Sequence, residues 1–241
     1  MEKSLDGRTV LVTGANGGLG EQFVKEALER GARKVYAAAR NPRDWNDDRI
    51  AALQLDITDQ KSVANAAASA KDVDLLVNNA AVAPAGDSLS GPEDQLRQIF
   101  ETNFFGNLRM ANAFAPILAA NGGGTIVNVL SAAAWIGIGT GYSVSKAAMW
   151  SATNGLRFQL QGQNTQVIGL LVGMIDTAMA SRWDVPKVSP QSVVAQTYDG
   201  VVEGAMEVLA DDSARGLRSM MGQKGEEYYP ILHEQLAWFE A

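Results

Sequence analysis

Tyr142 and Lys146 lie four residues apart in the stretch GYSVSKAA. On a helix that spacing puts both side chains on one face. A free tyrosine has a pKa of about 10. A neighbouring ammonium stabilises the phenolate and lowers that value. The pair suits proton transfer near neutral pH, for example to the alkoxide that develops when a carbonyl receives hydride. Ser131 stands eleven residues earlier, placed to hydrogen-bond the same oxygen. Asn103, within ETNFFG, is placed to anchor a water that contacts Lys146. Taken alone, Y-x-x-x-K is a common spacing, so its meaning depends on the rest of the chain.

A second stretch supplies that context. TGANGGLG, Thr13 to Gly20, follows the apolar run TVLV and precedes EQFVKEALERG. A glycine-rich turn from a strand into a helix N-terminus suits a phosphate, because the backbone can come close and the helix favours negative charge. In an open parallel α/β sheet this first turn holds a dinucleotide pyrophosphate. Gly14 then permits the tight turn, and Gly18 and Gly20 permit close approach and close helix packing. Asn16 and Leu19 complete the cradle. The second strand ends in AAARNP. An acidic residue there goes with NAD and an arginine with NADP. The Arg40 guanidinium suits bidentate contact with a 2′-phosphate, with Arg43 as a helper. The cofactor expected is therefore NADP, with NAD the less favoured alternative. Asp56, followed by Ile57, is placed to accept a hydrogen bond from an adenine amino group or to cap the turn after the third strand.

These residues need elements to hold them. Apolar runs at 9–13, 34–39, 51–56, 73–80, 124–131 and 165–172 predict strands, and 217–222 a short last one. Helical spacing predicts helices at 19–31, 59–70, 92–118, 141–161, about 190–210 and 226–239. Asp59 is a candidate cap for the second helix. The crossover NPRDWNDDR is too short and polar for a helix. The strands are continuous apolar runs, which favours a parallel sheet covered on both faces. The expected fold is α/β, a single Rossmann-like doubly wound parallel sheet of about seven strands with helices on both faces. One domain, 1–241, accommodates it, with a substrate loop at about 174–190.

At this point the chain resembles a short-chain dehydrogenase/reductase. The matching motifs are TGANGGLG (13–20), Asp56, NNA (78–80), Asn103, Ser131, Tyr142-x-x-x-Lys146 and GMIDTAM (173–179), in the family's order over about three-quarters of the sequence. The resemblance implies NAD(P) use and a homodimer or homotetramer. It implies Tyr142 as catalytic acid or base, and Lys146 holding the nicotinamide ribose and lowering the Tyr142 pKa. Ser131 positions the substrate oxygen, and Asn103 supports a water relay. Asn79 and Ala80 flank the cofactor ribose. Thr177, with backbone near Ile175, binds the carboxamide. The position of Arg40 goes with NADP preference. Three departures stand out: NNAA in place of NNAG, Val172-Gly173 in place of Pro-Gly, and a shortened Ser131–Tyr142 interval. The second leaves the turn that carries Thr177 freer to move.

The expected pocket wall is apolar: Val82, Ala132, Ala133, Trp135, Ile136, Met174, Met179 and Trp183. With no arginine or lysine among them, a neutral ketone, aldehyde or secondary alcohol is the expected substrate. Composition closes other routes. The chain has no cysteine and one histidine, His233, which excludes thiolate chemistry and His-rich metal sites. A net charge of −7 with no basic face argues against nucleic acid. No run approaches the ~20 apolar residues of a membrane span, and no leader is evident, so a cytoplasmic protein is expected. His233 and the Glu226–Glu227 pair read as surface features, and Phe104 and Phe105 as helix packing. Two other readings stay open: NAD-dependent alcohol oxidation on the same fold, and a nucleotide-binding regulator without turnover. A sugar-nucleotide epimerase needs a larger C-terminal part than remains here.

Overall fold

Successive residues of each central strand face opposite sides of the sheet, and both sides are buried. In β1 (Thr9–Thr13), Val10 and Val12 enter one core while Leu11 enters the other. The same alternation runs through β2 (Lys34–Ala39) and β4 (Leu75–Asn78). A strand apolar on both faces is stable only between two helical layers, which accounts for the unbroken apolar runs. The computed structural model describes residues 4–235. The sheet adds β3 (Ile50–Gln54), β5 (Gly124–Val129), β6 (Thr165–Leu171) and β7 (Glu207–Leu209). All seven are parallel, in the order β3-β2-β1-β4-β5-β6-β7.

One face is covered by α1 (Gly18–Glu29) and, later in the chain, α6 (Pro190–Glu203). The other carries α2 (Gln60–Ser69), α4 (Asn107–Ala120) and α5 (Gly141–Leu160). Asp59 caps α2 as expected, accepting from the Lys61 amide at 2.8 Å. Between β2 and β3 there is no helix, also as expected. A third apolar cluster gathers the end of β5, the start of α5, α7 (Asp212–Met220) and α8 (Gly225–Gln235). No helix among the described residues is long and apolar enough to cross a membrane.

Two expectations need correction. The long helix at 92–118 is not one helix. It runs as α3 (Glu93–Phe100), a π-helical stretch at Glu101–Gly106, and then α4. The last strand is also elsewhere: 217–222 falls largely in α7, and β7 is the short EVL at Glu207–Leu209. The preceding helix stops at Glu203 because Gly204 adopts the left-handed conformation that ends helices (φ 76°). Asp211 then caps α7, whose Ala214 and Leu217 sit at helical spacing in the core. The expected last helix begins with Glu226 and Glu227 exposed; 236–239, and the side chain of His233, lie outside the described residues.

Candidate active site

The strand order reverses between β1 and β4, so their connections leave in opposite directions and a crevice opens at the strands' C-terminal ends. A cleft of about 1540 Å³ occupies it. Its floor is stitched by Thr13, whose hydroxyl accepts from the Asn79 and Ala80 amides at 3.0 Å each. The Asn79 side-chain Nδ2 donates to the Thr13 carbonyl at 2.8 Å.

Glycine is required at two points of the 13–20 turn. Gly14 sits at φ +67°, strained for any other residue, and a Cβ there would press on Asn79 and Ala80. A Cβ on Gly20 would collide with the Gly14 carbonyl. Gly20 therefore serves close packing behind the turn, while Gly14, Asn16, Gly18 and Leu19 line the cleft. The Asn16 side chain donates to the Asn41 carbonyl at 2.6 Å, tying the turn to the end of β2. Arg40 lines the cleft beside it, exposed. Arg43 does not join it: it pairs with Glu21 at 3.1 Å and stacks on Trp45. Asp56 and Ile57 line the same end. One Asp56 oxygen takes the Thr58 amide and hydroxyl at 2.9 and 2.7 Å, so the turn-capping reading holds for that oxygen. These bonds, with the nearby Arg40 charge, hold its carboxyl below the usual range.

Tyr142 and Lys146 share the inward face of α5, and both line the cleft with Ser131. The Lys146 ammonium donates to the Val129 carbonyl at 2.7 Å and lies 5.6 Å from the Tyr142 ring centre. The expected lowering of the tyrosine by this lysine is not what the geometry produces. Burial pushes the Tyr142 phenol up, opposed by the Ser131 hydroxyl. Burial also brings Lys146 down to about 8. For both groups the cost of holding the charged form away from water is the largest effect.

Asn103 is fully buried, off the cleft wall. Its side chain exchanges two bonds with Val82, accepting at 2.8 Å and donating at 2.9 Å, and also donates to Ser145 at 3.1 Å. The side chain thus fastens the segment after β4 to the start of α5. Asn107, four residues later on the same helix face, donates to the Ala80 carbonyl at 3.2 Å.

The expected looseness after β6 is also corrected. Gly173 donates its amide to the buried Asp211 carboxylate at 2.8 Å. Ile175 pairs with Val188 in a short bridge. Both Ile175 and Thr177 line the cleft, and the Thr177 methyl faces Gly18 across it. Of the expected pocket wall, Val82, Ala132, Ala133, Ile136, Met174, Met179 and Trp183 line the cleft. Trp135 does not: its ring packs edge-on against Trp150, with Arg218 over it. Arg182, stacked on Trp183, and Lys187, donating to the Trp183 carbonyl at 2.6 Å, add two cations at the loop that sequence reasoning left out of the wall. Asp87 and Asp211 were missed as well. Each acts on a backbone amide far away in sequence, which leaves no local signal. Among the described residues no cluster of His, Cys, Asp or Glu is arranged to hold a metal.

Comparison with known proteins agrees with this geometry. Residues 8–187 match the family model described as short chain dehydrogenase. The short-chain dehydrogenase PC-15 of Penicillium crustosum is 37% identical over 193 residues, 72% of this chain and 68% of that protein. A short chain dehydrogenase from Burkholderia cenocepacia, solved in complex with NADP, superposes with a TM-score of 0.88 at 36% identity, covering 97% of this chain and 99% of that one. An NADPH-bound carbonyl reductase from chicken fatty liver gives 0.76 at 25% identity, over 86% and 97%.

Proposed function

The chain belongs to the short-chain dehydrogenase family, and from that premise we propose that it is an NADP-dependent carbonyl reductase or alcohol dehydrogenase. Its substrate is a neutral ketone, aldehyde or secondary alcohol. The observation that carries this reading is the convergence of Ser131, Tyr142 and Lys146 on the same cleft as the glycine turn and Arg40. The turn fits a pyrophosphate, since it leads from a strand into the N-terminus of α1 with Gly14 and Gly18 lining the cleft, and Gly20 lets the helix pack closely behind it. Gly14, Asn16, Gly18 and Leu19 hold the pyrophosphate end, Arg40 the 2′-phosphate, and Asp56 and Ile57 the adenine. Asn79, Ala80 and Lys146 hold the nicotinamide ribose, and Ile175 and Thr177 the carboxamide. The Gly20 position supports the cradle from behind. NADP in the Burkholderia and chicken relatives supports the choice of cofactor.

Bound there, NADPH supplies the hydride that a carbonyl carbon accepts. Tyr142 donates its phenolic proton to the carbonyl oxygen in reduction and takes it back in oxidation. Ser131 hydrogen-bonds the same oxygen and holds it against the phenol. Lys146, buried and anchored to the Val129 carbonyl, keeps its ammonium beside the Tyr142 ring, where it would hold the nicotinamide ribose. The apolar side chains from Val82 to Met174 suit an uncharged substrate, since the two cations of the loop are engaged with Trp183, Arg182 on its ring and Lys187 on its carbonyl. Exposed Phe105, Val144 and Phe158 on the outer helices support a homodimer or homotetramer.

The test is consumption of NADPH with a panel of neutral ketones and aldehydes, run beside NADH and beside Tyr142→Phe. Wild type should turn over with NADPH preferred, and the variant should lose at least about 100-fold in kcat while binding NADPH normally. Substantial turnover by the variant would remove Tyr142 from this role.

A further inference from the structure

The N-terminus of α5 carries two caps, and only one of them is local. Thr140 accepts from the Ser143 amide at 3.1 Å, as an ordinary N-cap residue does. That leaves the two earlier amides. Asp87 takes both, one with each carboxylate oxygen: Gly141 at 2.9 Å and Tyr142 at 2.8 Å. Asp87 is 55 residues from Tyr142 in sequence. It comes from the loop that follows β4, not from the helix it caps.

The loop is built for this reach. Asn103 fixes its start at Val82 with two bonds. Its far end is tied to the α5 approach, where the Leu89 amide donates to the Gly139 carbonyl at 2.9 Å. Glycine at 141 allows the approach, since a Cβ there would lie 3.0 Å from Asp87 Oδ1 and closer still to Leu96. A carboxylate at the first turn also meets the positive end of the helix.

We propose that Asp87 is a positioning residue that sets the backbone of Tyr142 against the cleft. This rests on the reading of Tyr142 given above. The two Asp87 bonds hold the first turn of α5 to the Asn103-anchored wall, beside the Asn103–Ser145 bond one turn further on, so the acid and the substrate wall move as one unit. Losing that link leaves α5 intact from Ser143 onward but lets its first turn shift. Displacement of about 1 Å at a reacting group costs on the order of 100-fold in rate.

The experiment compares Asp87→Ala, Asp87→Asn and Thr140→Ala with wild type. Three quantities are read: exchange of the Gly141 and Tyr142 amides, kcat with the best carbonyl, and NADPH affinity. Asp87→Ala should speed exchange at these two amides by about 10-fold or more and lower kcat by roughly 10- to 100-fold, with NADPH affinity within about twofold. Asp87→Asn, which keeps one of the two acceptor oxygens, should fall between wild type and Asp87→Ala in kcat. Thr140→Ala weakens the helix end by its local cap and should cost kcat no more than about threefold. Unchanged amide exchange in Asp87→Ala would overturn the assignment whether or not a substrate is found. So would faster exchange with unchanged kcat, or equal kcat losses in the Ala, Asn and Thr140 variants. Absence of wild-type turnover would instead overturn the reductase reading, and the exchange result would still decide what Asp87 holds.

Discussion

Replacing Asp211 by alanine should damage both stability and cofactor binding, by an amount the geometry allows to be worked out. Asp211 is 6% exposed. One oxygen accepts from Ala214 at 2.8 Å and caps α7; the other accepts from Gly173 at 2.8 Å and fixes the turn after β6. Loss of an N-cap costs about 1 kcal/mol. The half-buried Gly173 amide, left without a partner, costs about 1–2 kcal/mol, the lower part of the range for a buried group. The two together come to about 2–3 kcal/mol, which for a chain of this size is on the order of 10 °C in Tm. The functional effect follows from what Gly173 carries. Ile175 and Thr177 lie just beyond it on the cleft wall, with Thr177 facing Gly18. Freed of its anchor, that segment should hold NADPH about tenfold less tightly. Thermal unfolding by circular dichroism reads the first quantity, and titration of NADPH fluorescence the second. A Tm within about 2 °C of wild type would refute the claim that both bonds matter. A large fall in Tm with unchanged NADPH affinity would show that the Val172-Gly173 turn keeps its shape without Asp211.

Two further outcomes test other parts of the site. Arg40→Ala should weaken NADPH by roughly 10- to 100-fold and NADH hardly at all, the loss of a charge-assisted clamp on a 2′-phosphate; equal losses measured by titration would remove Arg40 from that role. Lys146→Met should raise Tm at pH 7 and abolish turnover. Burial lowers the folded lysine from 10.5 to about 8, so below pH 8 the fold carries a charge that it disfavours. The unfolded chain binds that proton more tightly, so the cost is full below the folded pKa and fades as pH rises from about 8 to 10.5. The variant's advantage is at most about 3 kcal/mol at pH 7 and should vanish by about pH 10.5. A gain equal at both ends of that range would refute the cause.

Much of the site was legible before any coordinates. The glycine turn, Arg40, Asp56, Asn79, Ser131 and the Tyr142–Lys146 pair each follow a strand or open a helix, and strands of one parallel sheet end on one edge. Local pattern and that single rule bring them to one cleft. Unbroken apolar runs in the strands, and helical spacing in the covering elements, called for a sheet with a core on each face. Short or weakly patterned pieces were not legible. EVL at Glu207–Leu209 becomes a strand only because β6 offers it an edge. Trp135 turns away from the cleft because Trp150 and Arg218 receive its ring, and nothing near it in sequence says so. The electrostatics of the tyrosine and lysine were decided by burial, which spacing cannot measure. Above all, the carboxylates of Asp87 and Asp211 do their work on amides 54 and 38 residues away. Residue type and order determined which groups this protein has for chemistry. How rigidly they are held depends on hydrogen bonds between distant segments, and those exist only once the chain has folded.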